Sequence, residues 1–202
     1  MRFSTEAAVT DIKQQKAALR KALRKARREH ADALPSEVSA LVFRKPPAPI
    51  AALVPEGATI GLYRNDPGEA PTGSYARHFM ELGHPLALPR IDGLDEPMTF
   101  RAHTDPYGES DLEEGRMGLM QPSRSLPELV PQVLFMPLVG FSADGNRIGQ
   151  GGGFYDKWLA AHPGTIAIGM AWDVQLVDHL PLEPHDMPLT AIITPTRIYG
   201  PF

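Results

Sequence analysis

Cysteine is absent from this chain of 202 residues, and its absence removes several kinds of chemistry. Without cysteine the protein has no disulfide scaffold, no thiolate ligand for a metal and no cysteine nucleophile. Long apolar runs are missing too, since no segment approaches the roughly 20 apolar residues that a membrane-spanning helix needs. Residues 1–16 also lack the apolar core of a signal peptide. We therefore expect a soluble, cytoplasmic protein without membrane partners.

The common nucleotide-binding motifs are missing as well. The sequence contains no G-x-x-x-x-G-K-[ST], which excludes a P-loop of the Walker type. Phe154 stands where the glycine pattern G-x-G-x-x-G would need its last glycine, so a dinucleotide-binding fingerprint is not predicted. The histidines lack the H-x-x-x-H spacing of a zinc site. Aromatic residues make up 7% of the chain and form no stretch typical of a stacking surface for single-stranded nucleic acid.

Basic residues are concentrated in one segment, although the net charge is −4. Residues 11–30 contain eight Lys or Arg and two acidic residues. Apolar and basic residues recur there at spacings of three and four, which predicts an amphipathic helix capped by Asp11. Three interpretations of the basic face remain open: a solvated surface, a patch for nucleic acid, or a set of cations that reach a bound polyphosphate.

Predicted strands and helices alternate along the rest of the chain. Apolar runs predict strands at 58–63, 85–89, 98–102, 133–139, 165–172 and 191–195. Helices are predicted at 38–43, at 72–82 and from about 154. This order predicts an α/β fold: a single-domain, three-layer, open twisted sheet, mostly parallel and Rossmann-like, with helices on both faces. We expect one domain over 1–202, with 1–10 a flexible extension and 103–131 either a flap or plain surface.

A glycine-rich loop is the most informative segment. It runs from Arg147 through four glycines to Phe154, Tyr155 and Asp156, after a predicted buried strand and a turn at 144–146. Glycine lets backbone amides approach an anion without a Cβ in the way, and the start of a helix adds unpaired N–H groups. A flexible turn remains possible, but the flanking arginine and aspartate favour a phosphate cradle.

Three acidic residues are candidates for the binding site. Asp156 begins the predicted helix, where it could stabilise the N-terminus or hold Mg²⁺ on bound phosphates. Asp186 follows Pro184-His185 between two predicted strands and could be a second Mg²⁺ ligand or could only set a turn. Glu69 follows a predicted strand, where open α/β sheets bind ligands, although a glutamate in a loop is often only solvated.

Three blocks of sequence resemble the 5-formyltetrahydrofolate cyclo-ligase family. The first is K-A-A-L-R at 16–20, the second is RIGQGGGFYDKWL at 147–159, and the third is IGMAWDVQLVDHLPLEPHDMPLTAIIT at 168–194. Their order matches the family, and the resemblance runs from about residue 16 to residue 194. Two positions depart from the family pattern: Gln150 stands where an aromatic or basic residue is frequent, and Thr190 where an acid is common.

The resemblance implies an ATP-dependent ligase. Such an enzyme closes the ring of 5-formyltetrahydrofolate to give 5,10-methenyltetrahydrofolate, ADP and phosphate. The formyl oxygen would attack the γ-phosphate, and N10 of the folate would then attack the activated carbon as phosphate leaves. The protein would contribute positioning and charge stabilisation rather than a covalent nucleophile.

The resemblance also implies roles for individual residues. ATP phosphates would be bound by Lys16, Arg20, Arg147, Ile148, Gly149, Gln150, Gly151, Gly152, Gly153, Phe154 and Tyr155. Arg147 would be catalytic because it offsets charge during transfer. The reduced folate would contact Arg64, Glu69, Gln150, Gly151, Gly152, Gly153 and Phe154. Asp156 and Asp186 would hold Mg²⁺.

Alternatives of other classes remain open at this stage. One is a non-catalytic folate- or nucleotide-binding module of the same fold, and another is a nucleic-acid binder that acts through the basic helix. We expect the cyclo-ligase, with a reduced folate as its small-molecule substrate, ATP as co-substrate, no nucleic-acid or membrane partner, and a monomeric or weakly dimeric state.

Overall fold

Seven strands form the central sheet in the computed structural model, which describes residues 3–35, 38, 41–115 and 118–202. They are β1 (Ile60–Gly61), β2 (Leu86–Arg90), β3 (Thr99–Ala102), β6 (Val133–Pro137), β9 (Ile166–Met170), β10 (Ala191–Ile193) and β11 (Ile198–Tyr199). Their order across the sheet is β11-β10-β9-β6-β1-β2-β3. The five inner strands pair in parallel, whereas β3 and β11 are antiparallel edges. The predicted open, mostly parallel sheet is confirmed.

Helices cover both faces of this sheet. The helices are α1 (Phe3–Ala33), α2 (Ala48–Ala51), α3 (Gly73–Glu81) and α4 (Phe154–Ala161). Residues of β6 alternate between two hydrophobic clusters, because successive side chains of a strand point to opposite faces. Phe135 meets Tyr75 of α3 edge to face on one side, with ring centroids 5.4 Å apart. Trp158 of α4 packs on Phe100 on the other side, which completes the predicted three layers.

Helix α1 is longer than the predicted 11–30. It begins at Phe3, because residues 3–10 contain neither proline nor glycine to stop it. The prediction that Asp11 caps this helix is wrong. Asp11 lies inside the helix, and its carboxylate accepts a hydrogen bond from the Gln15 side chain at 2.8 Å. The flexible extension at 1–10 stays a prediction.

Two short hairpins were not predicted as strands. Strands β4 (Leu112–Glu114) and β5 (Met120–Pro122) pair within the loop-rich region 103–131, and strands β7 (Gly140–Phe141) and β8 (Arg147–Ile148) pair around the predicted turn at 144–146. The β7–β8 hairpin sets the position of Arg147 and of the glycine-rich loop that follows it. The predicted helix 38–43 includes residues 39 and 40, which lie outside the described residues.

None of the helices in the described part of the chain is long and apolar enough to cross a membrane.

Candidate active site

One face of α1 carries four cations that each contact a different part of the site. We call Lys16, Arg20, Arg24 and Arg27 the basic face. The Lys16 Nζ donates to Glu183 at 2.9 Å and to Asp186 at 2.6 Å. Arg20 Nε donates to the carbonyl oxygen of Gly149 at 2.9 Å. These contacts lie inside the protein, so the interpretation as a solvated surface is wrong for Lys16 and Arg27, which are both buried.

A cavity of about 600 Å³ lies beside this face. Its polar wall is formed by Lys13, Lys16, Arg20, the whole segment 147–156, Glu183, His185 and Asp186. Its apolar wall is formed by Pro89, Ile91, Met98, Leu119 and Pro137. The volume is in the range of small-molecule sites. A site with cations on one wall and apolar groups on another can take a ligand that is anionic at one end and flat and apolar at the other.

The glycine-rich loop lines this cavity and contains a run of backbone amides without hydrogen-bond acceptors. Within the described structure no acceptor is recorded for the backbone N–H groups of 150–156, and the first bonded amide is that of Lys157, to Gly153. Gly151 (φ 111°) and Gly153 (φ 66°) have left-handed backbones that disfavour other residues. Helix α4 starts directly after them, so the unpaired N–H groups of its first turn belong to residues that line the same cavity. The arrangement fits an anion with several oxygens.

Arg147 is the buried cation of the cavity. Its side chain is 4% exposed, and its Nη2 donates to Asp156 Oδ1 at 2.7 Å. Its Nε is buried without a hydrogen-bond partner, so the guanidinium is incompletely bonded inside the protein. Burial lowers the pKa of Arg147, and the charge of Asp156 opposes that effect. A guanidinium stays protonated in proteins, so this corner of the cavity holds a fixed positive charge.

Two carboxylates flank the loop. Asp156 Oδ1 accepts from Arg147 and from the amide of Met187, and Asp186 Oδ2 accepts from Lys16 and from the amide of Glu183. Burial raises the pKa of Asp186, but the hydrogen bonds from Lys16 and Glu183 outweigh it and lower the pKa below its usual value. Hydrogen bonding from Lys16 likewise lowers the pKa of Glu183. Asp186 and Glu183 are therefore ionised at neutral pH.

These carboxylates are a partial donor set for a metal. The described residues contain no group of three or more acidic or histidine side chains suited to hold an ion. The hydrogen bonds use only Asp156 Oδ1 and Asp186 Oδ2. Asp156 Oδ2 and Asp186 Oδ1 accept none from the described residues, although His185 Nε2 lies 4.0 Å from Asp186 Oδ1. Mg²⁺ commonly takes one or two carboxylates and completes its shell with water and phosphate oxygens. The residues present fit that pattern.

Comparison with known proteins identifies the family. Residues 12–195 match the model of the 5-formyltetrahydrofolate cyclo-ligase family. The chain belongs to this family. It is 31% identical over 147 residues to the 5-formyltetrahydrofolate cyclo-ligase of Escherichia coli K12, which covers 70% of this chain and 80% of the relative. It is also 31% identical over 128 residues to the enzyme of the same name from Mycolicibacterium smegmatis, covering 58% of this chain and 63% of that one.

Solved structures agree on the fold. The 5,10-methenyltetrahydrofolate synthetase of Aquifex aeolicus aligns with a TM-score of 0.63 at 22% identity, over 92% of both chains. The 5,10-methenyltetrahydrofolate synthetase of Mycoplasma pneumoniae aligns with a TM-score of 0.63 at 23% identity, over 88% of this chain and 97% of that one. Both have the same α/β fold as this family member.

All of the predicted ATP and metal residues meet at one cavity. Lys16, Arg20, Asp186 and the segment 147–156 all lie in its wall. Glu69 lies behind the wall, where its carboxylate pairs with Arg27 and accepts from Gln150 Nε2 at 3.3 Å. It is buried, so the interpretation of Glu69 as a solvated side chain is wrong.

Two other residues lie apart from the cavity. Arg64 is 46% exposed and pairs with Glu109 at 3.1 Å; it is not part of the wall. Thr190 is not part of the wall either, and its hydroxyl accepts from the amide of Ala167 within the sheet.

The sequence analysis assigned no individual role to several charged residues of the site. Arg24 donates to the side chain and the carbonyl oxygen of Gln150, at 2.8 and 2.7 Å. Arg27 pairs with Glu69, Glu183 pairs with Lys16, and Lys13 lies in the cavity wall. The spacing of four, four and three from Lys16 to Arg27 on one helical face was the available signal for the two arginines. Nothing local marks Glu183 as a partner of Lys16.

Proposed function

We propose that this chain catalyses the ATP- and Mg²⁺-dependent cyclisation of 5-formyltetrahydrofolate to 5,10-methenyltetrahydrofolate, with release of ADP and phosphate. Membership of the cyclo-ligase family supports the proposal. The observation that carries it is the juxtaposition of the unbonded amides of 150–156 with the buried, partly unpaired guanidinium of Arg147 in one cavity. Those groups suit a phosphoryl group that gains and redistributes negative charge.

The proposed reaction has two bond-forming stages. The formyl oxygen attacks the γ-phosphorus while the bond to ADP breaks, which converts a poor leaving group on carbon into a good one. N10 of the folate then attacks that carbon, loses its proton, and phosphate departs with the former formyl oxygen. The protein holds the two substrates in line and excludes water, which is where most of the acceleration in phosphoryl transfer arises.

The phosphate-binding residues would exchange their present partners for ATP. Lys16 now donates to two carboxylates and Arg20 to a carbonyl oxygen, and phosphate oxygens can accept the same bonds with more charge. Most side chains in the segment Ile148 to Tyr155 carry no hydrogen-bond donor. The backbone amides of this segment would therefore be its main donors to the phosphates. Arg147 would offset the charge that develops on the γ-phosphate.

Asp156 and Asp186 would hold Mg²⁺ through their free oxygens. When bound, the ion neutralises part of the triphosphate charge. Before ATP binds, the ion pairs with Arg147 and Lys16 hold these two carboxylates beside the cavity.

The reduced folate would lie against the apolar wall and the loop from Gln150 to Phe154. Glu69 would accept hydrogen bonds from the pterin ring once the Gln150 side chain, which now donates to it, moves aside. A contact with Arg64 would require its exposed ion pair with Glu109 to open, which costs little because surface ion pairs contribute about 0–1 kcal/mol.

We propose a cytoplasmic enzyme, one domain over 1–202, monomeric or weakly dimeric, without a nucleic-acid partner. The alternative is a non-catalytic folate- or nucleotide-binding module of the same fold. The presence of cations, carboxylates and free amides in one cavity favours catalysis over binding alone.

An absorbance assay for the methenyl product tests the proposal. We expect product only when ATP, Mg²⁺ and 5-formyltetrahydrofolate are all present, with a loss of signal when each is omitted in turn. Binding of both substrates without product would favour the non-catalytic module. Product formation at the same rate without ATP would contradict the proposed reaction.

Replacing Lys16 by methionine is expected to raise the KM for ATP by about 10-fold or more, since a hydrogen bond between charged groups contributes about 1.5–3 kcal/mol. The KM for 5-formyltetrahydrofolate should change less than twofold, because Lys16 touches only the phosphate-side carboxylates. Steady-state kinetics with each substrate varied provide the measurement. Lys21→Met, an exposed change on the same helix, is the control. Equal increases in the two KM values would contradict the assignment.

A further inference from the structure

Arg27 forms an ion pair inside the protein that the ATP chemistry does not use. Its Nη1 lies 3.0 Å from Glu69 Oε1, and the two side chains are 7% and 6% exposed. The same nitrogen donates to the carbonyl oxygen of Leu138 at 3.3 Å. Arg27 Nε is buried without a partner. Arg27 is absent from the cavity wall, so it has no direct path to a bound phosphate.

A contribution to folding stability does not by itself explain the buried ion pair between Arg27 and Glu69. The cost of removing two charges from water often exceeds their mutual attraction, and well-packed apolar residues usually do as well. The guanidinium is moreover incompletely bonded, which adds to the cost. A costly buried pair is better explained if one of its members has a second task. Glu69 is the member nearer to the site, since it bonds a residue of the cavity wall.

Three segments hold the Glu69 carboxylate in one orientation. Oε1 accepts from Arg27 on α1 and from Gln150 Nε2 in the glycine-rich loop, the latter at 3.3 Å. Oε2 accepts from the amide of Asp66 at 3.1 Å. Gln150 is in turn held by Arg24 through its side-chain oxygen. The carboxylate is therefore fixed from the helix, the glycine-rich loop and its own loop together.

Arg27 is also the cation that favours the ionised form of Glu69. The titratable groups that act on Glu69 are Arg27 on α1, Asp66 in its own loop, Tyr63 after β1 and Tyr155 in α4. Burial raises the pKa of Glu69, and Arg27 opposes that rise. Burial also raises the pKa of Tyr63 and Tyr155, so both stay neutral. Among these groups, only Arg27 is a cation.

We propose that Arg27 is a positioning residue for folate recognition: it holds Glu69 as an oriented anion for the adjacent N–H donors of a pterin ring. A pterin presents a ring N–H beside an exocyclic amino group, and a carboxylate can accept from both at once. This inference rests on the proposed function, because it takes the pterin as the ligand of Glu69. Arg27 should therefore affect the binding of the folate and not the binding of ATP.

Replacing Arg27 by methionine is the central test. We expect the dissociation constant for 5-formyltetrahydrofolate to rise about 10-fold or more, because an ionised acceptor in a charge-assisted hydrogen bond is lost, while that for ATP changes less than twofold. Calorimetry with each ligand separately gives both values without requiring turnover. Arg28→Met, an exposed change one residue further along α1, should change neither constant.

The pH dependence distinguishes positioning from a general loss of structure. In the parent protein, folate affinity should fall as the pH drops through the pKa of Glu69. In Arg27→Met the midpoint of that fall should move to higher pH, because the charge that opposes the effect of burial is gone. In Glu69→Gln this midpoint should be absent. In the Glu69→Gln background, Arg27→Met should weaken folate binding less than twofold further.

Two outcomes would overturn the inference. One is an equal loss of affinity for ATP and folate in Arg27→Met, and the other is unchanged folate affinity with an unchanged midpoint. If Arg27→Met does not fold, Arg27→Lys replaces it. Lysine keeps the charge but not the planar group that places Nη1 between Glu69 and the carbonyl oxygen of Leu138, and we expect folate affinity alone to fall about threefold or more. Unchanged folate affinity in Arg27→Lys would then count against positioning. A parent protein that binds folate without forming product would contradict the proposed function and leave these binding tests decisive.

Discussion

Replacement of Arg147 by methionine is expected to lower kcat by about 100- to 1000-fold, the range seen when one donor to a developing charge is removed. The residue lines the cavity, its side chain is 4% exposed, and its buried Nε has no hydrogen-bond partner. Methionine preserves most of the volume and removes the charge and all of the donors. The measurement is kcat for the methenyl product at saturating ATP, Mg²⁺ and folate. A kcat within threefold of the parent would refute a catalytic role for Arg147.

Replacing Arg147 leaves Asp156 without its ion-pair partner, so a control must show whether the unpaired carboxylate disturbs folding. The double variant Arg147→Met/Asp156→Asn removes both charges and serves only as a folding control, because Asp156 is also a proposed Mg²⁺ ligand. A near-parental unfolding temperature would show that the cavity still folds without this ion pair. Arg101→Met is a second control, because Arg101 also has a buried, unpaired Nε but is not part of the cavity wall. We expect it to lower the unfolding temperature and leave kcat nearly unchanged.

Replacement of Gly151 by alanine is expected to lower kcat/KM for ATP by about 100-fold. Its φ of 111° lies where a residue with a Cβ is strained, and such strain costs about 1–3 kcal/mol. The added Cβ would lie 3.5 Å from Arg20 Cζ, which the protein can accommodate. Activity should therefore suffer chiefly because the amides lose their alignment and the phosphates lose their close approach. Steady-state kinetics with ATP varied provide the measurement.

Gly164→Ala is the matched control for Gly151→Ala. Gly164 has a similar backbone, with φ 94°, and no atom lies within 4 Å of an added Cβ. It follows α4 and is not part of the cavity wall. Both changes should lower the unfolding temperature, and only Gly151→Ala should impair the use of ATP. Equal kinetic losses in the two variants would show that backbone strain, rather than phosphate binding, causes the defect.

The fold was predictable where the hydrophobic pattern and the residue types indicate the same element. The apolar run at 133–139 predicted the buried strand β6, and the start of α4 at Phe154 followed from the glycines before it. The hairpin β4–β5 was not predictable, because strands of three residues carry too few alternations to reveal a period. Helix α1 extended beyond its predicted start because no helix-breaking residue precedes Asp11.

The candidate site was predictable only in part, because its partners are distant in sequence. Lys16 and Asp186 are separated by 170 residues, and Arg27 and Glu69 by 42. Spacing placed Lys16 and Arg20 on one helical face, and the resemblance to the family connected them to the glycine-rich loop. Neither source of information indicated that Glu69 would be buried against Arg27, nor that Arg64 would point to the surface and pair with Glu109. Those outcomes depend on how the loops after β1 pack on α1.

A structure of the protein with Mg²⁺ and a non-hydrolysable ATP analogue tests the central claim most directly. We predict phosphate oxygens within hydrogen-bond distance of the amides of 150–156, with Lys16 and Arg147 on the same triphosphate. A triphosphate bound elsewhere, with those amides turned toward protein acceptors, would contradict the account.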